Sequence, residues 1–242
     1  MSLGLPGWKA DLDRAIDTAR ELDPLMYVVT NLHKYAQIGL GALQSGPDAL
    51  RDTASALAVA ERSGDDFTVV HAHLARGIVL VARDGAERDA GYEHLRRARE
   101  AALLGCGNSS IVLIADIHLA HLRYTLGEVD GAVALASATV DELFALGSVV
   151  WRGPATSVLI EALLGRGAPG DLEAARAAIV RLDGDPVDSG FVLHEVTLRR
   201  LRALLARAEG DQDGYRRWTA GYLALARACD FDGHIAVASA MV

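Results

Sequence analysis

Residues 122–147, LRYTLGEVDGAVALASATVDELFALG, decide the fold. One run stops at Leu126-Gly127. A second opens on the acidic Glu128 and Asp130, carries Ala132, Leu135, Ala136, Val140 and Leu143 at helical spacing, and stops at Gly147. Apolar residues at i, i+3 and i+4 form one face of an α-helix. Glycine supplies the left-handed residue that ends a helix.

The same stops recur along the chain. Asp23, Gly64, Gly105, Gly147, Gly184 and Asp230 are spaced 41, 41, 42, 37 and 46 residues apart. Between them lie Gly46, Gly85, Gly127, Gly170 and Gly210, spaced 39, 42, 43 and 40. Two interleaved series with one period mean two helices per repeat. Asp23-Pro24, Gly46-Pro47-Asp48, Gly170-Asp171 and Gly210-Asp211 have the chemistry that opens the next helix. The expected fold is all-α, an α-α superhelix or tetratricopeptide-like solenoid of about twelve helices with a period of about 41 residues. The predicted helices are 8–22, 24–44, 48–63, 65–83, 86–104, 108–126, 129–146, 149–166, 171–182, 188–208, 212–228 and 231–242. Over 48–63 the expected stripe is Leu50, Ala54, Leu57, Ala58 and Glu61. No segment alternates in the manner of a strand.

Each helix pair has an apolar face that only a neighbouring pair can bury, so the pairs must stack. No Pro/Ser-rich linker interrupts them, and 1–242 reads as one domain. Met1-Ser2-Leu3 reads as an expression scar, and the chain as a piece of a longer protein. The apolar terminal helix HIAVASAMV, 234–242, is a candidate for homodimer contact.

Apolar residues make up 51% of the chain but aromatics only 5%, so Ala, Leu and Val carry the core and helices can approach closely. A net charge of −8 argues against direct nucleic-acid or anionic-membrane binding. The most apolar stretch, Ile111 to Ala120, contains Asp116 and His118 and is too short to span a bilayer. Cys106 and Cys229 lie far apart with no CxxC spacing, which suggests neither zinc nor a disulfide and favours a reducing, cytoplasmic setting.

No catalytic constellation emerges, and no cofactor or metal is expected. His118 and His121 share a helix face with Asp116 nearby, a two-His-one-carboxylate set on paper. Asp116 and His118 are only two apart, however, and diverge. Binding is the better expectation. Nine residues before each glycine of the second series lie Gln37, Arg76, His118, Glu161 and Leu201. Four of these five are polar inside otherwise apolar helices. His73, Asp116, His121 and Arg152 lie near this column. In a tetratricopeptide-like stack such a column lines a concave groove able to hold a protein, a peptide or a small effector. The alternatives are buried hydrogen-bonded pairs between adjacent helices, or simple solvent exposure.

Residues 122–147 and 204–234, the latter LLARAEGDQDGYRRWTAGYLALARACDFDGH, resemble tetratricopeptide repeats, with a longer period than the usual ~34 residues. SGDDFTVVHAHLARGIVLV and ACDFDGHIAVASAM resemble the C-terminal helical-repeat region of actinobacterial multidomain signal-transduction ATPases. Those include adenylate cyclases and LuxR-type regulators related to the maltose regulator. The resemblance implies a regulatory or sensor arm coupled to an upstream ATPase, cyclase or DNA-binding domain. The enzymatic motifs are not in this sequence, which has no Gly-Lys pair and hence no GxxxxGK[ST].

Overall fold

A computed structural model describes residues 4–188 and 190–242. The reading of residues 1–3 as a scar lies outside the described residues, as does Ser189. Among the described residues the chain forms twelve α-helices and no strand. They are α1 (Trp8–Leu22), α2 (Pro24–Gly39), α3 (Pro47–Ser63), α4 (Asp66–Val81), α5 (Gly85–Leu103), α6 (Ser109–Thr125), α7 (Val129–Ala145), α8 (Val149–Arg166), α9 (Asp171–Asp183), α10 (Val192–Glu209), α11 (Gln212–Ala228) and α12 (Asp232–Met241). The contacts gather into two compact units, one ending at His118 and one beginning at Leu119, so the division falls inside α6.

The turns form as their chemistry dictates. The Asp23 carboxylate accepts from Leu25 N at 2.7 Å and Met26 N at 3.0 Å, with Pro24 opening α2. Asp65 caps α4 through Thr68 N, and Asp211 caps α11 through Gly214 N, both at 2.8 Å. These bonds satisfy donors that the first turn of a helix leaves orphaned. Gly64 takes φ +69° to end α3, a conformation that costs a side-chain-bearing residue.

Three expectations need correction. First, α2 ends at Gly39 rather than 44, because Gly41 turns left-handed and both Ala42 N and Leu43 N fold back onto the Gln37 carbonyl. Second, α10 starts at Val192 rather than 188, after Gly190 at φ +106°. Third, the buried stripe of α3 is Ala49, Asp52, Thr53, Ala56 and Ala60. Leu50, Leu57 and Ala58 sit at its margin, and Ala54 and Glu61 are exposed. Alanine lets α3 approach closely, and the larger leucines are displaced to the edge.

In the first unit α4 packs against α2, α3 and α5, while α1 packs on α2 and α2 on α3. In the second, α8 packs against α7, α9 and α10, α10 also meets α9 and α11, and α11 carries α12. Helices α2, α4, α8 and α10 carry most of the core. Helices α4 and α8 each bury ten residues, against five each for α3 and α7, so only the latter pair shows a narrow stripe. Two buried tyrosines of the first unit's core share one aspartate, whereas the buried Asn31 amide on α2 has no hydrogen-bond partner among the described residues. Tyr35 Oη donates to Asp52 Oδ2 at 2.7 Å and Tyr27 Oη to the Asp52 carbonyl at 3.2 Å.

The tightest helix contact in the first unit is the α4–α5 seam. A Cβ added at Gly77 would meet Leu95 Cγ at 2.7 Å, and one at Gly91 would meet Val81 N at 2.6 Å. Backbone cannot retreat as a side chain can. The substitution G91A is therefore expected to lower the unfolding free energy by about 1–3 kcal/mol in urea titration, despite alanine's better helix propensity. Stabilisation by G91A would mean the seam is looser than described.

Candidate functional site

Two members of the polar column, Arg76 and Glu161, tie neighbouring helices. Gln37, on α2, is buried and donates from Nε2 to the His33 carbonyl at 3.1 Å. Arg76 reaches from α4 to α3, where Nη1 donates to the Leu50 carbonyl at 2.6 Å and to Thr53 Oγ1 at 3.2 Å. Burial lowers the Arg76 pKa from its ordinary value. Asp116, buried on α6, receives a bidentate grip from Arg99 of α5 at 2.5 and 3.3 Å. His118 is half-buried and His121 exposed. Among the described residues no three His, Cys, Asp or Glu side chains gather as metal ligands.

His73 meets a partner that sequence reasoning missed. Its Nδ1 lies 2.8 Å from Nδ1 of His94 on α5, and the ring centroids are 5.0 Å apart. Both rings are half-buried. Desolvation lowers the His73 pKa, assisted by Arg97 and opposed by Glu61. Desolvation, then His73, Arg76 and Arg97, push His94 down to about 4. His94 sits in the charged stretch EHLRRARE, where nothing in the spacing marks it as a partner of residue 73.

In the second unit Glu161 of α8 pairs with Arg200 of α10. Arg152 is 5% exposed and bonds to Asp185, which is in the loop after α9. Its guanidinium also lies 4.4 Å from the Phe144 ring centroid and 3.4 Å from the carbonyl oxygens of Leu143 and Phe144, at the end of α7. Arg152 thus binds the α7 C-terminus, where a cation also favours the helix dipole. Leu201, the apolar member of the column, is fully buried.

A different surface of the second unit is open. Helices α7 and α9 flank a cleft of about 460 Å³ whose floor is Leu159 and Leu163 of α8. Its walls are Val133, Ser137 and Val140 on one side and Ala174, Ala177 and Ala178 on the other. Ion pairs close both ends. Arg166 joins Asp130 at 2.8 Å to Asp171 at 2.7 Å, and Arg181 meets Asp141 at 2.5 Å. From Asp130 to Asp141 along α7 the cleft runs ~16 Å at the helical rise. Helix α9 opens at Asp171, as the Gly170-Asp171 pair leads one to expect. The Asp171 carboxylate turns back to accept from Arg166 and from Ala168 N, and Gly170 is the cap residue without a side-chain bond. This aspartate therefore sets the end of the cleft.

Compared with protein-family models, curated proteins and solved structures, the chain matches none. No helix among the described residues is long and apolar enough to cross a membrane.

A charge pair with both side chains 10% exposed or less is costly to break from one side, because the survivor stays buried without its counter-ion. R152A is accordingly expected to cost ~3–5 kcal/mol of unfolding free energy. Loss of under ~0.5 kcal/mol in denaturant titration, the usual surface value, would return Arg152 to the pool of residues available for ligands.

Proposed function

We propose that this chain is a non-catalytic helical-repeat recognition module, and that a protein or peptide segment docks in the cleft between α7, α8 and α9. The observation that carries the reading is the cleft itself: an apolar trough with small side chains on one wall, held open by ion pairs at both ends. Its length admits about three helical turns, and alanine walls permit close approach of a partner backbone. Rigid helices present such a surface with little ordering cost. This moves the binding site away from the polar column, where Arg76 and Glu161, and beside them Asp116 and Arg152, already hold partners on neighbouring elements.

A regulatory role, with binding coupled to an ATPase, adenylate cyclase or DNA-binding domain, is supported by the resemblance of residues 63–81 and 228–241 alone. A second reading, an oligomerisation or docking scaffold, draws on α12. That helix packs on α11 through Tyr222 Oη and His234 Nδ1 at 2.8 Å and through Tyr215 Oη to the Met241 carbonyl at 2.7 Å, and it leaves Val237 exposed. A dimer broken by V237E in sedimentation experiments would favour it.

The cleft is tested by photo-crosslinking in the native host. The photoreactive residue p-benzoylphenylalanine is placed at Ala177, which is exposed on the cleft wall, or at Ala224, exposed on α11. A discrete adduct from position 177 that is absent from 224 and abolished by A174W is expected. The same adducts from both positions, or none from 177, would overturn the proposal.

A further inference from the structure

The His73–His94 contact joins the two helices of the closest-packed seam in the first unit. A nitrogen-to-nitrogen separation of 2.8 Å is a hydrogen bond, so one ring donates Nδ1–H and the other accepts on Nδ1. One added proton is tolerated, since an imidazolium can still donate to its neutral neighbour. Two added protons leave a donor facing a donor and two like charges in one half-buried site.

The surroundings oppose that charge on most sides. Arg76 of α4 is held in place by the Leu50 carbonyl and Thr53 of α3, and Arg97 stands beside the pair on α5. The acidic groups are Glu61 of α3, which is exposed, and Glu93 of α5, which Arg96 engages. On α2, His33 acts on His71, which bonds the Phe67 carbonyl and is a separate site. On α6, Asp116 is occupied by Arg99. Among the described residues no tight counter-ion is therefore at hand for a doubly charged pair.

We infer that His73 and His94 form an acid-sensitive latch on the α4–α5 seam, closed when they share a proton at neutral pH and released when both rings are protonated. Release costs the seam its polar tie and places repulsion beside the Gly77–Leu95 and Gly91–Val81 contacts, where a small separation already loses close packing. The first unit then opens locally at α5 while the second keeps its packing. This inference is independent of the cleft in the second unit.

The sign follows from the direction of both shifts. Each ring in the closed state titrates below the ordinary histidine value of 6.5, so the open state takes up protons first as pH falls. The latch is at full strength above about pH 6.5 and weakens progressively down to about 4, where His94 itself titrates.

Hydrogen exchange on the whole chain tests this. With intrinsic rates corrected, acidification from about pH 7.5 to about pH 5 is expected to speed exchange in α4 and α5 at least about ten-fold more than in α8 and α10. In H73Q/H94Q, whose amides can still pair but do not titrate, that excess is expected to fall below about three-fold. An excess that stays at or above three-fold would assign the acid response to His71 and overturn the latch, as would the absence of any excess in the unsubstituted chain. Should the double variant not fold, ring-proton NMR of the unsubstituted chain decides. A His94 midpoint below about 5.5 supports the latch, and one at or above it contradicts it.

Discussion

Helix α8 is held on three sides, by α7, α9 and α10, and α4 is held likewise by α2, α3 and α5. A helix in that position must be apolar around most of its circumference, and any polar group it keeps must be answered from a neighbour. Much of the rest follows from this constraint. Arg76 reaches out of α4 to α3, Glu161 out of α8 to Arg200, and Arg152 to Asp185 and the end of α7. Each tie fixes one helix relative to another at a point where hydrophobic contact alone would allow sliding. A polar column inside apolar helices is what such a set of ties looks like along the sequence.

The odd-numbered helices are freer. Helices α3 and α7 bury one narrow stripe, and α7 and α9 stand apart over the floor of α8. The cleft is thus a by-product of core helices that need wide coverage and outer helices that supply only a stripe each. The ion pairs at its ends, Arg181 with Asp141 and Arg166 with Asp130 and Asp171, are partly exposed and add little stability individually. They bridge α7 and α9, directly or through Arg166, at the two ends of the cleft.

The turns were legible because glycine, aspartate and proline act locally. Asp23, Gly64, Gly147 and Gly210 end or cap helices where their chemistry requires. The buried stripe of α3 lies about one residue from the expected one, because Ala49, Ala56 and Ala60 allow a closer helix approach than Leu50 and Leu57 do. The partners of the column were not legible, since Arg76 and Leu50, Arg152 and Asp185, and Glu161 and Arg200 lie on different elements far apart in sequence. Spacing along one helix identifies a polar residue on a face. It carries no information about what the next helix places opposite, which is also why His94 went unseen.

That the polar residues of the core helices are held by neighbouring elements is the claim on which the placement of the recognition surface depends. A double-mutant cycle on Arg152 and Asp185, with R152A, D185A and the double variant measured by urea unfolding, tests it most directly. A coupling energy of roughly 2 kcal/mol or more is expected, as for a buried pair. A coupling near zero would contradict it and would return the polar column to consideration as the ligand-binding surface.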